Sequence, residues 1–545
     1  MPKQVLKRKG WERRTSRYPD QSIVDAILDI CEYGARIGYA DSRTSVTIHP
    51  NLSSAEEDAS TVTAEIISEL KKNRLELYPD YRSLPNHYTA SPLGLTDKSD
   101  GSKRRIHHLS YLAADPSAIN HGIPEEYGAI TYSGIEDAIQ AIQLFGPGCI
   151  LIKRDFEAAF RHIPASLLDT TLLGFRWQKQ FYAGRFLPFG LRTAPYLFNL
   201  FAEVFHWTLE AELCQKDLEA IVIHYLDDFL VILPPAAPVK VYTEAFSELC
   251  CAVGLAIKTT KNEEGQLASF GGFELDTQTM TIQLPGKNVN KARHLVRNAI
   301  VQNSLSLVDI QRITGYLNFL TTVVPLGRTF LRRLYNIKLY FLPGGRNFKP
   351  RLSCEARSDL SWWNQILENT PERSIAIRVR EVVQAWSDAA SSDGLGGFFM
   401  EATQNAPQPQ SAFSIPLPDY ILKAREHINT LEMRAVEQVL LYWGREWKGK
   451  LLVIHVDNQA VVYGLANRTI RGAPLRILRR CLLLATEYDL DLDSRWVSTT
   501  ENALADALSR ADYRRITNMA PQLISPTCNL QRRGLLTYRS WDCQQ

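Results

Sequence analysis

The sequence predicts an α+β multidomain chain, on three observations. Its 545 residues exceed what one hydrophobic core ordinarily serves, at roughly 100–200 residues per domain. Between Lys103 and about Leu284, short apolar runs rich in Ile, Val and aromatics alternate with stretches of helical periodicity. From Val382 a second alternation of the same kind begins, after a basic, helix-rich interval. Composition is 45% hydrophobic and 22% charged, which excludes whole-chain disorder, collagen and a disulfide scaffold. No stretch approaches the ~18 consecutive apolar residues of a membrane span, so no membrane partner is expected. The nine cysteines are scattered without CxxC pairs, which indicates neither zinc nor a disulfide framework. The N-terminus lacks the apolar core of a secretory signal, so the expected location is intracellular, cytoplasmic or nuclear.

Charge is unevenly spread. Residues 1–20 hold seven Lys/Arg against two acids, and residues 511–545 hold five Arg against two Asp. The net charge of +3 therefore leaves the middle acidic. A polyanion partner would be held by local basic patches, with fixed acids recruiting cations.

Taken in order, Ser22–Ile37 and Thr61–Lys72 read as amphipathic helices, with Asp41–Ser60 a polar loop. CILIKRDF (Cys149–Phe156) and AIVIHYLDDFLVIL (Ala220–Leu233) read as buried strands, the second folded into a hairpin. Glu136–Phe145, Ala194–Leu213 and Val241–Val253 read as helices. Arg328–Arg351 holds seven Lys/Arg and no acid, which reads either as a solvated basic helix or as an anion-binding surface. In the last alternation, Thr430–Trp447 and Asn502–Ala511 are helical, Leu451–Val456 and Leu492–Val497 extended, and Gln404–Pro418 a loop. The expected domains are an N-terminal extension over 1–60, a first catalytic region over 61–286, a basic helical interval over 287–381, a second α/β unit over 382–513, and a basic tail over 514–545.

Two constellations carry chemistry. Asp227 and Asp228 sit in the turn of YLDD between apolar strands, and Asp155 ends another apolar strand. Asp is a common turn residue, but adjacent carboxylates at the rim of a covered sheet repel unless a cation lies between them. If the strands pair, the three acids form a hard, all-oxygen site suited to two Mg²⁺, or Mn²⁺, ions and to phosphoryl transfer. The second set is Asp388 at a strand end, Glu432 at a helix start, Asp457 at a strand end and Asp506 on the last helix. Each alone reads as a cap or a solvated acid. Together they describe a ribonuclease H arrangement, again with two ions.

At these residues the sequence resembles retroelement reverse transcriptases. DFEAAF (Asp155–Phe160), LPFGLRTAPYLFN (Leu187–Asn199) and YLDD follow the family's block order. SPLGL and GSKRRIHHLS lie upstream; GLAIKTTK and SFGGFEL lie downstream. The wording RIHHLSYL, and TGYLNFLTTVVPLGRTFLRRLY further on, is most similar to DIRS-type (tyrosine-recombinase) elements, then to gypsy-like ones. The polymerase resemblance covers roughly Thr61–Tyr340. Val382–Tyr513 resembles retroelement ribonuclease H domains, without their usual His before the last acid.

The resemblance implies a right-hand polymerase (fingers, palm, thumb), then a connection and a ribonuclease H. It implies RNA template, DNA primer, RNA/DNA hybrid and deoxynucleoside triphosphates as partners, with an element-encoded recombinase or capsid-like protein beside them. It assigns metal binding to Asp155, Asp227 and Asp228. Phe160 becomes a gate against the ribose 2′-hydroxyl. Arg105, with Lys98 or Lys103, becomes the grip on the triphosphate, and Lys261 a lysine near it. Phe189 lies in the turn under the nascent pair, with Arg192 beside it. Arg328, Arg332 and Arg333 become hybrid contacts. Two other readings stay open: a remnant that binds hybrids without chemistry, and a DNA-templated polymerase.

Overall fold

The structure, a computed structural model, describes residues 6–40, 45–97, 101, 103–111, 118–128, 130, 132–302, 304–341, 349–401, 408–524, 530–531 and 535–536. The chain divides into two compact units: Met1–Ile282 with Ser374–Ala376, and Gln283–Arg373 with Ile377–Gln545. Helices and sheets are mixed in both.

In the first unit, a four-stranded antiparallel sheet runs in the order Glu263–Gly265, Ile150–Asp155, Asp228–Leu233, Ile221–Tyr225. Both faces of its central strands are covered, and Leu151, Ile152 and Phe229–Leu233 are buried. On one side Phe229 meets Phe156, Phe205 and Phe246, with ring centroids 5.2, 5.4 and 5.9 Å away. Those rings come from the Ala194–Gln215 and Val239–Val253 helices and the end of the central strand. The Ile135–Phe145 helix packs against the Asp228–Leu233 and Ile221–Tyr225 strands. Gly134 N–H bonds the Asp137 carboxylate at 2.6 Å and closes that helix's first turn. A five-stranded sheet and the Leu93–Asp97/Lys103–His107 hairpin complete the frame. The loop expected over Asp41–Ser60 contains a short strand, Thr47–Ile48, and a helix, Ser53–Glu57.

The second unit is built on a six-stranded sheet ordered Asp491–Trp496, Leu451–Val456, Val382–Ala389, Gly394–Glu401, Pro409–Pro416, Leu530–Gln531. The first three strands are mutually parallel, and Gly394–Glu401 is antiparallel to both its neighbours. Gln404–Pro418 is therefore not a loop throughout: Pro409–Pro416 is a strand whose Ala412, Phe413 and Ile415 are buried. Its Pro and Gln content masked an alternating apolar face. Helices Ile428–Trp443 and Pro474–Glu487 cover one sheet face through Val436, Leu440, Leu478 and Cys481. The Ala503–Ser509 helix and the following Tyr513–Met519 helix cover the other through Ala505, Leu508 and Ile516. The start of the expected basic tail is thus core structure.

Apart from Ser374–Ala376, the basic interval belongs to this second unit. Arg479, on the Pro474–Glu487 helix, is 1% exposed and bonds both Asp359 oxygens at 2.8 Å. It also bonds Thr329 O at 2.7 Å and lies over the Phe330 ring. Asp359 accepts a further bond from Arg333 at 3.0 Å. A carboxylate shared between two guanidiniums ties the Cys354–Ile366 helix to the sheet domain.

Candidate active sites

The first site is set by strand register. Asp228 pairs with Asp155 across the antiparallel ladder, and like charges placed opposite one another are destabilising unless compensated. Phe156 N–H bonds Asp227 O at 3.0 Å, which fixes the turn beside the end of the Asp155 strand. The turn needs Leu226 at φ +55°, a left-handed conformation that costs a non-glycine residue energy. Burial, then the Asp155 charge, raises the Asp227 carboxyl. Burial pushes Asp228 up to about 6; Lys153 opposes it, and Asp155 and Asp227 add to it. Asp228 Oδ1 is buried without a hydrogen-bond partner, the Lys153 ammonium standing 3.5 Å away. Three crowded acids and an orphaned oxygen are what a divalent cation would satisfy, so these residues fit Mg²⁺.

The surrounding expected residues divide. Phe160 and Phe189 are brought together, ring centroids 5.1 Å apart, and Phe160 also touches Phe198. Lys261 Nζ bonds Asp155 Oδ2 at 2.6 Å, so it sits on an acid. Arg192 is committed to Ile123 O at 2.6 Å. Arg105 takes a different position from the one expected. Its side chain is 6% exposed, 3.6 Å from Glu65 and packed over the Phe175 ring. The reason is period-two alternation: Arg104 and Arg105 leave the Lys103–His107 strand on opposite faces. Arg104 is the exposed one, with its guanidinium 5.7 Å from the Phe189 ring centroid. The adjacent-arginine signal was present in KRRIH, but nothing in the sequence said which face was buried. Lys103 is paired with Asp58 at 3.1 Å. Lys98 lies outside the described residues.

The second site lies wholly in the second unit. Asp388, Glu432 and Asp457 bring carboxylate oxygens within 4.8 Å of one another. Burial pushes Glu432 up to about 9, helped by Asp388 and Asp457, and its Oε2 has no hydrogen-bond partner. Burial likewise pushes Asp388 up to about 6, although the Ser509 hydroxyl donates to it at 2.6 Å. That bond depends on Gly396, which faces Asp388 in register. A Cβ on Gly396 would stand 2.3 Å from Ser509 N and 2.6 Å from Ala505 O. The missing side chain is what lets the Ala503–Ser509 helix lie on the strand. Asp506 stands apart from the trio. Its carboxylate bonds Arg510 and Arg515, both at 2.7 Å. Burial raises it, but these bonds outweigh burial and the net shift is downward. Thr499 Oγ1 donates to Asp457 Oδ2 at 3.2 Å, from the loop that holds no His. Ser509 and Arg510 lie in the stretch expected to be helical, Arg515 in the expected basic tail, and no sequence signal pointed to their partners in this site. The crowded trio and the orphaned Glu432 oxygen also fit a divalent ion.

Of the basic trio, Arg328 is exposed, Arg332 is half-buried with its Nε unpaired, and Arg333 is spent on Asp359. Residues 342–348 of the basic run lie outside the described residues, as do Arg532 and Arg533.

Acids clustered at sheet rims form carboxylate groups that could hold divalent ions of the kind used in phosphoryl transfer. Residues 103–277 match the protein-family model described as "Reverse transcriptase (RNA-dependent DNA polymerase)", and the chain carries a reverse-transcriptase-like domain there. No curated protein sequence matches the chain. Among solved structures it is similar to a foamy viral protease-reverse transcriptase in complex with double-stranded DNA. That similarity has 13% identity and a TM-score of 0.47, covering 90% of this chain and 97% of that one. A foamy viral protease-reverse transcriptase in complex with RNA/DNA hybrid is similar at 13% identity and TM-score 0.46, over 89% of this chain and 62% of that one.

Proposed function

We propose that the chain is an RNA-directed DNA polymerase joined to a ribonuclease H, of a retroelement of the DIRS type or, next, the gypsy type. One observation carries the polymerase half: the register that sets Asp155 opposite Asp228, beside Asp227, inside the matched segment. Asp155, Asp227 and Asp228 would hold Mg²⁺, which activates a primer 3′-oxygen and stabilises the leaving pyrophosphate when bound. Lys153 and Lys261 balance the acids' charge. Arg104, rather than Arg105, is free to meet a triphosphate beside Phe189, and its fork can bond two phosphate oxygens. The Phe160 ring, packed on Phe189 and Phe198, would stand against a 2′-hydroxyl. In the second unit Asp388, Glu432 and Asp457 would hold the ions for cutting the RNA strand. Ser509 orients Asp388, and Asp506 is released to the site only if Arg510 and Arg515 let it go. Arg328 and Arg332 remain available to hybrid phosphates, and recognition follows backbone and shape.

The test is primer extension with Mg²⁺ and deoxynucleotides on RNA and DNA templates, alongside cleavage of a labelled RNA/DNA hybrid. Extension on RNA together with hybrid cleavage is expected. Hybrid binding with neither reaction would point to a remnant that only binds, and extension on DNA alone would point to a DNA-templated polymerase.

A further inference from the structure

Behind the Asp227–Asp228 hairpin, on the helix that backs its sheet, lies a group of side chains outside both carboxylate clusters. Glu203 and His206 occupy consecutive turns of the Ala194–Gln215 helix, and His224 lies in the Ile221–Tyr225 strand. The two imidazoles face each other through their Nδ1 atoms, 2.9 Å apart. That is a hydrogen bond; tetrahedral ligands at ~2.1 Å from one ion stand about 3.4 Å apart, so the rings need part by only about half an ångström to take an ion between them. One ligand atom from each of Glu203, His206 and His224 lies within 4.8 Å of the others. The rings are held rather than loose. His206 Nε2 lies 3.4 Å from Glu210 Oε1, which also accepts from Val222 N at 3.0 Å. A carboxylate on the far nitrogen orients the ring and leaves the near nitrogen's lone pair pointing inward, the usual support for a metal-binding imidazole. His224 stacks on Phe229, 4.9 Å between centroids, and its Nε2 is 3.6 Å from Glu203 Oε1.

We propose that Glu203, His206 and His224 form a second kind of metal site, for a borderline transition ion of the Zn²⁺ class, which pins the Ala194–Gln215 helix to the strand leading into the Asp227–Asp228 turn. Imidazole nitrogen suits Zn²⁺ or Co²⁺ and not Mg²⁺, so the site is chemically distinct from the all-oxygen clusters. Glu203 is exposed, which leaves the remaining positions of the ion open to water. The proposal stands on these side chains whether or not the polymerase reading holds.

The experiment titrates the full chain with Co²⁺ in excess Mg²⁺, which saturates carboxylate-only sites, and follows the cobalt absorption bands and the thermal midpoint. Wild type is expected to bind one equivalent with nitrogen-ligand bands and to melt higher with the ion. His206→Ala should lose that equivalent. Glu203→Ala, at an exposed position that will not disturb folding, should weaken it by at least about tenfold. Asp227→Asn should bind as wild type does. Failure of wild type to bind Co²⁺ or Zn²⁺ under excess Mg²⁺ overturns the site. So does Glu203→Ala together with His206→Ala binding unchanged, because the ion would then lie elsewhere.

Discussion

At the residue scale, neighbouring arginines test how far strand alternation decides function. Arg104→Ala should raise the KM for deoxynucleotides roughly tenfold, the loss of a charge-assisted contact, with thermal stability unchanged. Arg105→Ala should do the reverse. It strips a buried partner from Glu65, and because Glu65 is 35% exposed the expected cost is only ~1–3 kcal/mol, read by denaturant unfolding. A second residue-scale prediction concerns Glu432. Its carboxyl is raised in the folded state, to about 9, so the native protein holds a proton that the unfolded chain has released. Stability without divalent ions should therefore fall as pH rises from about 5 through 9. Glu432→Gln should flatten that fall and abolish hybrid cleavage, and Mg²⁺ should restore wild-type stability at the alkaline end. Thermal melts across pH, with and without Mg²⁺, read all three.

At the element scale, most of the acids were legible because they lie at or beside the boundary of a strand, a turn or a helix, and those boundaries follow apolar periodicity. Leu451–Val456 is the predicted strand itself, and Ile150–Asp155 differs from Cys149–Phe156 by one residue at each end. What stayed hidden were long-range partners. Nothing in ADALSR announces that Ser509 bonds Asp388 while Arg510 and Arg515 take Asp506. Nor does a Pro- and Gln-rich stretch announce a buried strand at Pro409–Pro416. Gly396 shows how an element contact becomes chemistry. Gly396→Ala should push the Ala503–Ser509 helix off its strand, break the Ser509–Asp388 bond, and cost ~1–3 kcal/mol by overpacking. Cleavage should fall while extension on RNA remains, as the two assays measured on one preparation would show.

At the scale of the whole molecule, the two carboxylate constellations fall in separate units, and the basic interval, apart from Ser374–Ala376, groups with the second. Composition marked that interval as a domain of its own. It could not show that Asp359, inside it, is the counter-ion of Arg479. Asp359→Ala should leave two guanidiniums sharing no acid and destabilise the second unit by about 3–5 kcal/mol. Calorimetry should then show that unit melting earlier, with the first unit's transition in place.

The central claim is that Asp155 and the Asp227–Asp228 turn gather divalent ions to extend a primer on RNA. Its most direct test is single-turnover nucleotide incorporation by Asp227→Asn on a primed RNA template in Mg²⁺, with hybrid cleavage measured in parallel. The account predicts incorporation about 10³-fold slower, roughly 4 kcal/mol of lost transition-state stabilisation, and unchanged cleavage. Incorporation at the wild-type rate would contradict it.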